Sequence, residues 1–171
     1  MTDRTDRGPA PVADRPVIPR EYGAPTSTKG LKPWPDVAER LRTARVYWIA
    51  TCGPGGVPRV RPIDGLYLDG VVYLGGSPEA RWVRDLEANP HATVHLDGGY
   101  DVVILEGSVE RVDPVPRDLA ERLAAASAEK YPEYGITAES YETQLPFALR
   151  PVRGFAWSAF PRDVTRYRFG G

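Results

Sequence analysis

Eighteen prolines and 17 glycines punctuate this 171-residue chain. Proline removes a backbone donor and glycine carries the largest entropy cost of ordering, so both end regular elements. A chain interrupted this often favours many short strands joined by turns over a helix bundle. Hydrophobic residues make up 42% and charged residues 26%, which fits neither a wholly disordered chain nor a membrane protein. No apolar run approaches the ~20 residues of a membrane helix. The opening Met1-Thr2-Asp3-Arg4 lacks the apolar stretch of a signal peptide, so a cytoplasmic location is expected. The net charge of −1 argues against a broad nucleic-acid footprint. Cys52 is the only cysteine, which excludes an internal disulfide and a multi-cysteine zinc site.

The first 33 residues hold six prolines, scattered charges and a single aromatic, Tyr22. Alone, such a segment cannot offset its ordering entropy and reads as a flexible or extended arm. It is either a disordered tail or an arm that wraps a partner subunit. Residues 34–171 form the folded domain. Val37, Ala38, Leu41 and Ala44 share one side of a short helix over 35–44, and 45–51 is a buried β-branched and aromatic strand. Gly53-Pro54-Gly55-Gly56 turns the chain into a strand over 57–63, where Pro58 and Pro62 mark an edge. Residues 66–68 and 71–74 flank Asp69-Gly70, a two-residue hairpin signal. A helix is expected from Ser77-Pro78 to Asn89-Pro90, then strands over 91–97 and 101–112. A helix over 116–131, a loop over 132–146 and strands over 147–159 and 163–169 complete the chain. The expected fold is mainly β (α+β): six or seven antiparallel strands in a small barrel with two or three peripheral helices, because closure removes exposed edges.

Four constellations could carry chemistry. Gly75-Gly76-Ser77 precedes the expected helix, where small residues let N–H groups approach an anion. Arg81 sits one turn inside. Arg59 and Arg61, two apart on a strand, share a face about 7 Å apart. Together these make a candidate phosphate site; otherwise the arginines are solvated edge residues and Ser77 is only a cap. His91 and His95 are four apart, but on a strand that is about 13 Å, too far for one metal ion. Cys52, Ser77 and Ser108 lack the neighbours of an activated nucleophile, and Glu106 and Glu110 read as solvated or ion-paired. No catalytic side chain is assigned. The C-terminal cluster of Phe147, Phe155, Trp157, Phe160, Tyr167 and Phe169, interleaved with Arg162, Arg166 and Arg168, reads as packing or as the lining of a ring-binding cleft.

The run Ser77-Pro78-Glu79-Ala80-Arg81-Trp82-Val83-Arg84-Asp85-Leu86-Glu87-Ala88-Asn89-Pro90-His91-Ala92-Thr93-Val94 resembles the central signature of the pyridoxamine 5′-phosphate oxidase-like family. Tyr47 to Thr51, Pro58 to Ile63 and the ending Phe155 to Phe169 resemble it too, the last in a form like actinobacterial members. The resemblance implies a split β-barrel, a homodimer, and a flavin or the deazaflavin F420 in a cleft at the dimer interface. It implies cofactor contacts from Arg59, Arg61, Pro62 and Ile63, from Gly75, Gly76 and Ser77, and from Arg81 and Trp82, with Tyr73 and Trp157 as walls of the ring site. Trp82 stands where many members carry lysine, and Asp85 where asparagine is usual. The implied activity is an oxidoreductase acting on a small-molecule substrate, with F420 favoured over FMN. The alternatives are an FMN enzyme of the pyridoxamine phosphate oxidase type and a non-enzymatic flavin, deazaflavin or haem binding or storage protein.

Overall fold

The computed structural model describes Gly8 and residues 10–170. Among the described residues the order is β1 (Val12–Asp14), α1 (Trp34–Thr43), β2 (Tyr47–Cys52), β3 (Pro58–Ile63), β4 (Gly65–Leu68), β5 (Val71–Leu74), α2 (Arg81–Ala88), β6 (His91–Leu96), β7 (Val102–Arg111), α3 (Arg117–Lys130), α4 (Ser140–Thr143), β8 (Phe147–Trp157) and β9 (Thr165–Arg168). None of these helices is long and apolar enough to cross a membrane.

All pairings are antiparallel, in the order β1-β9-β8-β7-β6-β2-β3. The first residues of β8 also pair β5, which pairs β4. β3 and β4 follow one another through Asp64, yet among the described residues no ladder joins them. The wall is therefore a split barrel, as the family resemblance implies. Pro58 and Pro62 have no N–H to offer a further neighbour, which leaves β3 an edge. Among the described residues nine strands stand against the six or seven expected, the N-terminal arm adding β1.

Side-chain alternation sets the interior. Tyr47, Ile49 and Thr51 of β2, Ala92, Val94 and Leu96 of β6, and Val103, Leu105 and Val109 of β7 point inward. Val37, Ala38 and Leu41 of α1 join them. The β4–β5 hairpin is buried on both faces. Tyr67, Val72 and Leu74 fill the barrel, while Leu66, Val71 and Tyr73 pack with Leu123 and Tyr131 at α3. On the outer face, Glu106 and Glu110 pair with Arg153 and Arg150, and the His95 ring lies parallel to Trp48 at 6.1 Å.

Of the arm, residues 1–7 and 9 lie outside the described residues. Its described part, expected to be flexible, lies along the domain. Val12–Asp14 extend the sheet beside β9. The Arg15 guanidinium donates to the carbonyls of Ser27, Lys29, Arg162 and Val164 at 2.7–3.2 Å. A segment too polar to build its own core is held here by a borrowed ladder and a saturated guanidinium.

Candidate functional site

The helix expected to open at Ser77 begins at Arg81 instead. The Ser77 hydroxyl accepts from the Glu79 N–H at 3.2 Å, and the Ala80 N–H donates to the Ser77 carbonyl at 2.9 Å. Serine thus closes a turn of its own, and Ala80, extended at φ −63°, takes the cap position. Arg81 becomes the first helical residue, not one a turn inside.

Gly75 and Gly76 differ. A Cβ on Gly75 would meet nothing within 4 Å, so the backbone there is open to close approach. A Cβ on Gly76 would strike the Trp82 indole, with Cε2 at 3.0 Å and Cζ2 closer still. Trp82 is only 4% exposed and packs edge-on against Phe147 at 5.3 Å. Its ring underpins the loop from the core and is not a wall of the cleft.

Arg59 and Arg61 share the inward face of β3, opposite Thr51 and Ile49. Asp85 of α2, 1% exposed, gathers this corner. Its carboxylate accepts from Arg59 at 3.3 Å, from Arg81 at 3.2 Å and from Thr51 at 3.2 Å. Burial acts to raise the Asp85 pKa, but the Arg81 hydrogen bond, the Arg59 charge and the Thr51 hydroxyl hold it below its ordinary value. Gly53 has no side chain because one would overlap this carboxylate. Two guanidinium groups share one carboxylate, and Arg61 adds a third whose Nε is buried with no hydrogen-bond partner. The asparagine-to-aspartate departure therefore fixes Arg59 and Arg81 side by side. It was legible in part, because Arg81 and Asp85 are four apart on a helix.

Beside this corner lies a cavity of about 590 Å³. Ile63, Tyr73, Gly75, Gly76 and Ser77 line it. The structure separates the other expected residues from it. Arg59, Arg61 and Arg81 stand outside its lining, and Pro62 is exposed beside Trp48 on the outer face. Trp157 pairs Val102 ten residues along β8 from Phe147, about 33 Å of strand, so it does not meet this cavity within one chain.

The second wall was not found in the sequence. It comes from α3 and the segment after it, with Tyr131, Tyr134, Ile136 and Tyr141, and Arg111 enters from the end of β7. Three tyrosines within 131–141 were the available signal. The Tyr131 hydroxyl donates to the Arg45 carbonyl at 2.6 Å and accepts from the Gly65 N–H at 3.1 Å, and its ring stacks on Tyr134 at 5.4 Å. Burial pushes the Tyr131 and Tyr141 phenols up to about 12 and raises Tyr73 as well, so all three stay protonated near neutrality. Behind this wall Lys130 donates to the Tyr47 hydroxyl and the Gly65 carbonyl, each at 3.1 Å, over the Tyr47 ring. Burial, with the like charge of Arg42, lowers its pKa to about 8.

The family model described as pyridoxamine 5′-phosphate oxidase matches residues 34–149. No curated protein matches the chain. Among solved structures, a haem-binding protein from Mycobacterium smegmatis is 25% identical over 78% of this chain and 58% of that one, with a TM-score of 0.59. A conserved hypothetical protein from Mycobacterium tuberculosis is 18% identical over 77% and 88%, with a TM-score of 0.62. A structure described as an F420 reductase is 20% identical over 68% and 94%, with a TM-score of 0.51.

Proposed function

Because the chain belongs to the pyridoxamine 5′-phosphate oxidase family, we propose that it binds a flavin-type cofactor against the Gly75–Ser77 loop, F420 ahead of FMN, and works as an oxidoreductase on a small organic substrate. The observation that carries this is the surplus of positive charge beside an open backbone. Arg59 and Arg81 share one carboxylate, the Nε of Arg61 on the same face of β3 has no partner, and Gly75 leaves room for a ligand. A cofactor phosphate fits that need.

When bound, such a cofactor supplies the hydride chemistry. The chain's own groups hold and shield it. Asp85 fixes Arg59 and Arg81 for the phosphate. Gly75 and Ser77 offer backbone and hydroxyl contacts. Leu66, Ile136 and Phe147 keep water from the cavity, and the protonated Tyr73 and Tyr141 phenols present donors. The likeness of residues 155–169 to actinobacterial members, and a structural neighbour that is itself an F420 reductase, support F420.

A homodimer belongs to the same proposal. Pro62, Trp48, His95, Ile104 and Phe155 stand in register across β3, β2, β6, β7 and β8, on the outer face. All but the exposed Pro62 are half-buried. A second copy would cover this row and bring its own Trp157 towards the site. The Mycobacterium smegmatis neighbour supports a second reading, haem binding. Among the described residues the cavity lining holds tyrosine oxygens but no histidine, cysteine or methionine, so a phenol would be the axial ligand there.

Absorbance titrations of the purified protein with F420, FMN and haem test these readings together. F420 or FMN should bind in about the micromolar range. Arg61→Ala and Arg81→Ala should each weaken the intact cofactor by about ten- to a hundredfold, the size of one charge-assisted hydrogen bond. They should hardly change affinity for the dephosphorylated ring. Arg84→Ala is the control, because Arg84 turns back to the Glu79 carbonyl at 2.6 Å. Binding of neither cofactor at ~100 μM overturns the redox reading.

A further inference from the structure

Arg111 stands apart from the phosphate corner. It ends β7 opposite Phe147 of β8, and Phe147 in turn faces Leu74, where the Gly75 loop begins. Two strand spacings, about 10 Å, separate the Arg111 and Leu74 backbones. Arg111 is the one cation among the described residues lining the cavity. The arginines of the neighbouring strand are paired, Arg150 with Glu110 and Arg153 with Glu106. Among the described residues no carboxylate pairs with Arg111. Asp64, the one acidic side chain among the described lining residues, accepts the Tyr134 hydroxyl at 2.8 Å. Much of the remaining wall is apolar or aromatic, from Leu66, Tyr131, Tyr141, Leu145 and Phe147. The volume, about 590 Å³, falls within the range of small-molecule sites.

We propose that Arg111 anchors an anionic substrate in this cavity: a small organic acid with a planar, apolar body and one carboxylate or phosphate group. The flat guanidinium fork takes either group through two parallel hydrogen bonds, and the tyrosines and Phe147 cover the body. That the occupant is the substrate, lying against the cofactor loop, rests on the function proposed above.

Benzoate, phenyl phosphate and the neutral isostere benzamide are the probes, titrated by calorimetry into the full chain and into Arg111→Ala and Arg111→Lys. The wild type should prefer an anionic ring over benzamide by about ten- to a hundredfold, one charge-assisted contact. The preference should vanish in Arg111→Ala and return in part in Arg111→Lys, while Arg153→Ala keeps it in full. Whichever of benzoate and phenyl phosphate shows the larger preference identifies the anion. A preference that survives Arg111→Ala overturns the proposal. So does equal loss of benzamide and benzoate, or no benzoate binding at about 10 mM. FMN and riboflavin titrations separate the cofactor from the substrate. Discrimination between them should be unchanged in Arg111→Ala, and its loss would assign Arg111 to the cofactor phosphate and overturn the proposal. Anionic preference intact with no cofactor binding would overturn the cofactor reading alone.

Discussion

Adding one methyl group at position 76 tests how the Gly75–Ser77 loop is held. The Gly76 backbone needs no unusual φ, so Gly76→Ala introduces no conformational strain, only contact. Its Cβ would lie at 3.0 and 3.1 Å from Cε2 and Cη2 of Trp82 and closer still to Cζ2, which demands more than the few tenths of an ångström a neighbour readily gives. The indole has nowhere to retreat, since it is 4% exposed and Phe147 stands edge-on behind it. Overpacking of this kind costs about 1–3 kcal/mol. For a domain of this size that lowers Tm by about 2–4 °C per kcal/mol. Gly75→Ala is the internal control: its methyl meets open space, so stability should move by no more than about 0.5 kcal/mol. Urea unfolding followed by tryptophan fluorescence reads the difference. Trp82→Phe in the Gly76→Ala background supplies the decisive arm, because the shorter ring vacates the space the methyl needs. The double variant should lose less stability than the two singles together. Strict additivity, or a Gly76→Ala protein as stable as Gly75→Ala, would refute the claim that the indole pins this loop.

Two further outcomes follow from groups away from the loop. Arg15→Ala removes four hydrogen bonds to backbone carbonyls. The side chain is partly exposed, so we expect a loss near that of one such bond, about 1.5–3 kcal/mol. Trypsin should then cut at Arg20 and Lys29 about ten- to a hundredfold faster, with the main unfolding transition kept; unchanged cutting would show that the β1 ladder alone holds the arm. Lys130 has its folded pKa lowered from 10.5 to about 8, so between those values the unfolded chain binds more protons and stability rises with pH. Urea midpoints of the wild type, relative to Lys130→Met, should climb from pH about 8 to 10.5; a constant difference would show that burial does not govern this amine.

Local patterns were readable where one side of an element faces the core. The alternation of Ala92, Val94 and Leu96, the helical spacing of Val37 and Leu41, and the Asp69-Gly70 turn each stand in the structure much as the sequence implies. The prolines of β3 marked an edge, and it is one. Two kinds of information were missing. A serine-proline pair satisfies a turn as well as a helix cap, and the choice at Ser77 depended on tertiary packing, with Trp82 drawn into the core. The cavity's second wall is built by residues more than 50 positions from the loop it faces, in a segment with no period to read. Half of the candidate site was visible because it is local. Arg111, Tyr131 and Tyr141 were not, because only the fold makes them neighbours of Gly75.

The pairing of β1 with β9 fixes when this part of the molecule can form. Val12 lies beside Arg168, so β1 pairs with the last of the described strands to be synthesised. The β4–β5 hairpin, by contrast, has its partner across two residues. Ring closure across the whole chain carries an entropy cost that grows as about (3/2)RT ln n, whereas closure of the short span before α1 onto a finished barrel carries far less. β1 therefore waits, unpaired, through the making of the other described strands. The polar, proline-rich composition around it suits that interval, because such a segment neither collapses nor pairs readily with a passing strand edge.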